Sequence, residues 1–419
     1  MTPRRQLIDL NFLGWVFCAA VFVIAVHQLA NKSHPRDFVY FYSIGHILNH
    51  YSPERLYDFS LQKEIFNRIL PATDGEYGPS PYPPYVALLF RPLALLPFWI
   101  ACLIWMALSL AMYLTGLLLL VRRFFAGDPL RQSILFCFAL SLWTFLGRTL
   151  MNGQLSAIGF LAVAVAICFE EAGRPYLSGL ALAVCAYKPT LLLLIVPMLL
   201  VTRRLKTLFG LLAAGVAVAS VTTLLEGPRV WGAYVRLSTQ FPHFPFLASD
   251  HVDIPSFARL IAHGSAPVEW LTLGLAFPVG LILARIWWLD ARSAIPLPAQ
   301  LLWGTTLTWT LLLNVYVPLY DTVLAAISII LTARVLSQYS HRVFVAICIS
   351  VVASSYVSRL VAEATGIQLM TVSLAALGTL QMALCLRTLT SGNRLLTPEA
   401  QQGLQSHDRQ GVLCANVCK

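Results

Sequence analysis

Charge is what this chain has least of. Asp, Glu, Lys and Arg together make up 11% of its 419 residues, where soluble domains carry about 25%. With 58% hydrophobic residues and a mean hydropathy of +0.72, that scarcity excludes a soluble domain. The apolar–polar alternation of a transmembrane β-barrel is also missing, because the apolar stretches are continuous. No internal repeat of the kind found in transporters stands out. Histidine and aspartate do not cluster at metal-ligand spacing, so neither a metal nor another cofactor is expected. The nine cysteines show no pairing pattern. Cys18, Cys102, Cys137, Cys168, Cys185, Cys348 and Cys385 lie in apolar runs and read as small packing residues. The first apolar run, 12–30, follows Arg4 and Arg5 but lacks a small-residue cleavage site, and reads as a retained anchor.

What is present is a series of apolar runs of about 18–25 residues. They predict an all-α polytopic membrane protein with about ten to twelve transmembrane helices. The net charge of +10 collects in short loops on one side, which fits the positive-inside rule and calls for no nucleic-acid partner. Arg4 and Arg5 put the N-terminus in the cytoplasm. Residues 1–390 then form one membrane domain, and 391–419 a polar cytoplasmic tail, read as disordered. The segment 31–83 becomes the first outside loop, with an amphipathic helix at "RDFVYFYSIGHILNH". A second long outside segment covers 226–268. Lys188-Pro189 interrupts the run 176–201. Pro disfavours helical geometry at the residue before it, so this run reads as two short helices with Lys188 at the outer apex, or as one kinked span.

In this topology the polar motifs emerge on one face: Asp37, Arg148–Gln154, Lys188, Arg229–His263, Tyr316–Asp321 and Arg359–Glu363. Polar groups near a bilayer are costly unless paired or functional. An outward-facing site has no nucleotide donors, so a sugar donor there is lipid-linked. Such a donor needs cations for its phosphate, and Lys188, Arg148 and Arg359 supply them. It needs an apolar and aromatic boundary, and Tyr40, Tyr42, Tyr82, Tyr85, Trp99 and Trp105 suit one. A base for the acceptor hydroxyl is at hand in Asp37, whose carboxylate keeps its charge at the membrane–water boundary. Tyr40, Gln154, His251, Tyr320 and Asp321 are the candidate substrate contacts.

Each of these residues also has a structural reading. Asp37 can cap the helix beginning at Phe38, and Asp58 the next turn. Lys188 can answer carbonyls at a helix end, and Arg148 can snorkel. Asn152 and Gln154, like Tyr320 and Asp321, can cap neighbouring helices. His251 and Asp253 form a possible acid–base pair at i, i+2, and Arg359–Glu363 an ion pair at i, i+4. A transporter or lipid flippase, or an assembly partner of an envelope complex, stands as the alternative function.

The stretches "DFVYFYSIGHILNHYSPERLYD", "YPPYVALLFRPLALLP" with Trp105 after it, "NGQLSAIGFLAVAVA", "GRPYLSGLALAVCAYKP" and "PLYDTVLAA", in that order, resemble glycosyltransferase family 87. The resemblance covers the chain up to about residue 385. It implies the GT-C membrane fold and an inverting transfer of mannose from a polyprenyl phosphate to a glycolipid or glycan acceptor. It also implies a multi-pass protein of the bacterial inner membrane, with an extracytoplasmic site and both termini cytoplasmic. The family's first-loop aspartate falls on Asp37, as the base. Some members use a histidine in a late outside loop. Here "NVYVPLYD" carries tyrosines in its place, and the nearest histidines are His243, His251 and His263.

Overall fold

Helices dominate the computed structural model, which describes residues 12–13, 16–21, 23–24, 36–69, 79–240, 247–262 and 268–390. The N-terminal arginines, His243, His263 and the tail 391–419 lie outside the described residues, as does much of the first apolar run. Among the described residues six helices are long and apolar enough to cross a membrane: Phe98–Phe124, Leu205–Glu226, Val268–Arg292, Leu319–Tyr339, His341–Thr365 and Leu369–Thr390. Pro129–Leu140 and Thr144–Leu150, bent by 44°, add a seventh if taken as one span. The other apolar runs form shorter helices. Ser156–Glu171 has 16 residues and Ala299–Leu312 has 14, below the roughly 20 that a bilayer core requires.

The run 176–201 breaks where proline predicts. Helix Pro175–Ala183 tightens into a 3-10 turn, Val184–Tyr187. Lys188 then leaves helical geometry, at φ −133° and ψ 84°. The chain resumes as Pro189–Leu192 and Ile195–Val201. Two short helices with Lys188 at the break are thus the form adopted.

The two ends of the bundle separate by chemistry. Arg122 and Arg123, Arg292 and Arg387 lie in the last turns of their helices, where a cation meets the negative end of the helix dipole. Arg334 reaches the Phe124 carbonyl at 3.4 Å, and Arg387 stacks over Tyr339, so the C-terminal ends of Phe98–Phe124, Leu319–Tyr339 and Leu369–Thr390 lie together. At the other end the Phe98 ring packs on Phe38 of the Arg36–His50 helix, with centroids 5.6 Å apart.

Leu319–Tyr339 is the central element, 83% buried, packed by Phe98–Phe124, Ala299–Leu312 and His341–Thr365. Its polar side chains are satisfied between helices. Thr308 donates to the Gln381 Oε1 (2.8 Å), the Gln381 Nε2 donates to Ser328 (2.9 Å) and Thr332 (3.0 Å), and Ser328 donates to the Gly304 carbonyl (2.7 Å). Lipid tails give no hydrophobic drive for helix association, so such bonds and close packing hold the bundle.

The platform carrying Asp37 is tied down by backbone acceptors. Helix Arg36–His50 lies on Pro84–Phe90, with Tyr42 donating to Leu96 O (2.7 Å) and Asn49 to Arg91 O (2.9 Å). Asp37 is the second residue of that helix, inside its first turn rather than at the cap position anticipated for it. Asp58 does cap, its Oδ1 accepting from Leu61 N at 3.1 Å.

Candidate active site

The centre of the site is a buried ion pair. Lys188 Nζ donates to Asp321 Oδ2, with the lysine side chain 10% exposed and the carboxylate 1%. The other carboxylate oxygen accepts from Ser156 Oγ at 2.7 Å. Ser156 opens the helix Ser156–Glu171, and Asp321 lies in the 3-10 turn Leu319–Leu324. The pair therefore joins three separate elements. Asp321 spends both oxygens on Lys188 and Ser156 rather than on capping the following helix.

Two tyrosines face the ammonium. Lys188 Nζ lies 5.0 Å from the Tyr316 ring centroid and 5.5 Å from that of Tyr320, within cation–π range. The Tyr320 carbonyl accepts from Thr149 at 3.2 Å, fixing the turn against the Arg148 segment. Burial pushes the Tyr316 hydroxyl up from its ordinary value, and the Asp321 and Asp37 carboxylates add to the effect. The Tyr82 hydroxyl is raised by burial, then by Asp321, Tyr316 and Asp37. Asp37 thus shares the surroundings of the Lys188–Asp321 pair.

Asp37 is placed there by the "MNGQ" turn. Phe38 N donates to the Asn152 carbonyl at 2.9 Å, and Trp105 Nε1 to the Gly153 carbonyl at 2.9 Å. Gly153 has φ +77°, and a Cβ there would stand 2.6 Å from the Phe38 Cβ. Glycine is what allows both the left-handed turn and the close approach.

His251 flanks the other side of Tyr316, ring centroids 4.5 Å apart. Its Nδ1 donates to Leu247 O at 2.7 Å. Burial holds its pKa below the ordinary value; Lys188 also lowers it, while the Leu247 bond, Asp253 and Asp250 oppose this. Asp253, the suggested acid–base partner of His251, has both oxygens engaged by the backbone. Asp253 Oδ1 accepts from Ser256 N (2.9 Å) and Oδ2 from Val317 N (2.8 Å). Asp253 caps helix Ile254–Ala262 and staples it to the Tyr316 loop.

The arginines gather beside this centre. Arg148, on the π-helical turn Thr144–Leu150, stands 3.7 Å from one oxygen of Asp250, and Arg359 stands 3.1 Å from the other. Arg359 also binds Glu363 at 2.8 Å, the anticipated i, i+4 pair. Gln154 is buried at 6% exposure. Tyr40 packs its ring on Phe66, centroids 4.8 Å apart.

Of the anticipated residues, Asp37, Lys188, Tyr320, Asp321 and His251 gather around Tyr316, with Arg148 and Arg359 alongside. Sequence reasoning missed Ser156 and Asp250. Ser156 ends the stretch "NGQLS" and Asp250 is the second residue of "SDHVD", so one adjoins and the other falls within a motif already singled out. Among the described residues no group of three or more His, Cys, Asp and Glu side chains could hold a metal ion.

The chain is 31% identical over 135 residues to the polyprenol-phosphate-mannose-dependent alpha-(1-2)-phosphatidylinositol pentamannoside mannosyltransferase of Mycolicibacterium smegmatis. The match covers 32% of this chain and 30% of that relative's length. No solved structure matches. The family model for glycosyltransferase family 87 matches residues 81–314. That stretch holds Arg148, Gln154, Lys188 and His251, whereas Asp37, Asp321 and Arg359 lie outside it. It spans more than half of the chain, which therefore belongs to glycosyltransferase family 87.

Proposed function

We propose that this chain is a membrane glycosyltransferase that moves a sugar, mannose, from a polyprenyl-phosphate donor to a hydroxyl of a glycolipid or glycan. The observation that carries this reading is family membership, joined by the activity for which the mycobacterial relative is named. The site is assigned to the extracytoplasmic face of a bacterial inner membrane. The arginine-rich helix ends at the opposite pole of the bundle support that orientation.

In the proposed reaction Asp37 takes the proton of the acceptor hydroxyl as its oxygen attacks the anomeric carbon. The bond from that carbon to the phosphate oxygen breaks, its electron pair leaves with the polyprenyl phosphate, and configuration inverts. A single base suffices because phosphate already leaves well. Charge grows on the phosphate as the bond breaks, and Arg148 and Arg359 are assigned to it as planar forks. Lys188 is a weaker phosphate ligand than its charge alone implies, since Asp321 already compensates it. Its assigned role is to fix the Tyr316–Tyr320 wall while presenting its remaining donors. His251, kept neutral by burial, Gln154 and Tyr320 are assigned to the sugar or acceptor, and Tyr40 to the platform flank.

Purified protein in lipid nanodiscs, given radiolabelled polyprenyl-phosphate sugars one at a time with a membrane lipid extract, tests the reading. Transfer of mannose to a lipid product is expected. Ion-gradient-dependent flux without transfer would favour the transporter alternative.

A further inference from the structure

Two carboxylates a few residues apart in "SDHVD" behave differently. Asp253 is wholly buried, with both oxygens on backbone N–H groups. Asp250 has no such anchoring. Its two oxygens face the guanidiniums of Arg148 and Arg359 at 3.7 and 3.1 Å, and its side chain is 26% exposed. It sits on the single 3-10 turn Ala248–Asp250. Ala248 and Ser249 line an open cavity of ≈ 400 Å³ bounded across by Glu363 and Gly366, so the turn has room beside it.

Two arginines from different helical elements, each on one oxygen of one carboxylate, make an anion site. The Arg148 contact is too long for a hydrogen bond, Asp250 Oδ1 is buried without a hydrogen-bond partner, and ion pairs with this much solvent exposure are weakly held. A phosphate offers more acceptor oxygens and up to twice the charge, and matches the guanidinium fork better than a carboxylate at these distances. We propose that Asp250 is a placeholder in the phosphate site, pairing Arg148 with Arg359 while the site is empty and yielding when a lipid phosphate enters. The proposal rests on the polyprenyl-phosphate reading above. It extends that reading to turnover. A phosphodiester donor carries one negative charge and the departing monoester carries more, so Arg148 and Arg359, with only Glu363 left beside Arg359, would hold product too well. Asp250, returning to the pair, competes with the product and releases it.

An intramolecular competitor lowers apparent affinity by the fraction of time it holds the site closed. The test measures binding of a short-chain polyprenyl monophosphate to the full chain in nanodiscs of zwitterionic lipid, with the matching polyprenol as the phosphate-free arm. Asp250→Asn is expected to bind the phosphate about threefold to tenfold more tightly than wild type. Binding of the polyprenol is expected to be unchanged. Adding Arg359→Gln to Asp250→Asn removes the gain. In turnover the Asp250→Asn variant shows a lower donor KM and a lower kcat, the signature of slow product release. Should Asp250→Asn not fold, Asp250→Ser is read in the same way. Equal or weaker phosphate binding by a folded variant overturns the placeholder role, because a merely structural Asp250 would leave the arginines disordered when removed. Failure of wild type to bind the phosphate at all overturns the donor reading together with it.

Discussion

Lys188 and Asp321 stand 133 residues apart in sequence and bond directly in the interior. Pairing of this kind barely repays the desolvation of both charges, yet removing one partner strands the other. Lys188→Ala and Asp321→Asn are each expected to cost about 3–5 kcal/mol of stability. The double variant Lys188→Met/Asp321→Leu is expected to recover most of it. Thermal unfolding in detergent checks the cycle. If the double variant unfolds no later than the singles, the pair is not the unit described.

Gly153→Ala should reach the site through Asp37. The left-handed φ and the 2.6 Å approach to Phe38 leave no room for a methyl group, and strain of this kind costs about 1–3 kcal/mol. The helix carrying Asp37 must shift to relieve it. The expected outcome is a folded protein with kcat reduced more than tenfold, since small misplacements of reacting groups are costly. Full activity in Gly153→Ala would uncouple the "MNGQ" turn from Asp37.

Asp253 separates structure from chemistry. Its oxygens accept from Ser256 N and Val317 N, bonds that an asparagine side chain can partly keep. Asp253→Asn is expected to retain transfer while Asp253→Ala loses about 1–3 kcal/mol of stability. Loss of transfer in a stable Asp253→Asn would make it a participant in the reaction instead.

A pH dependence follows from His251. Burial lowers its pKa in the folded protein, so between that lowered value and the unfolded value of about 6.5 the unfolded chain binds more protons. Stability therefore rises with pH through this window and is lost as pH falls below about 6.5. Lys188 reinforces the shift, while Asp250 and Asp253 oppose it. Burial lowers His46 as well, so part of the slope persists without His251. Unfolding temperatures from pH 7 to pH 5 should fall for wild type and fall less for His251→Gln. Equal slopes in the two proteins would contradict a buried neutral His251.

Local signals were legible in the sequence and distant pairings were not. Pro189 announced the break at Lys188, the i, i+4 spacing announced Arg359–Glu363, and Asp58 announced its own cap, because each depends on neighbours a few residues away. The bond from Lys188 to Asp321, and that from Asp253 to Val317, depend on how helices far apart in the chain pack, which periodicity does not encode. Asp253 beside His251 invited an acid–base reading, and nothing local announced that the Tyr316 loop would bring Val317 N to one of its oxygens. Hydropathy located the apolar runs, which at Ser156–Glu171 and Ala299–Leu312 form short helices of 16 and 14 residues.

Asp37→Asn provides the most direct test. The variant should fold, unfold at the wild-type temperature and bind polyprenyl phosphate, while mannose transfer from the polyprenyl-phosphate donor falls by about 100-fold or more, the usual contribution of a general base. Transfer within a few-fold of wild type in a folded Asp37→Asn protein would contradict the assignment of Asp37 as the base.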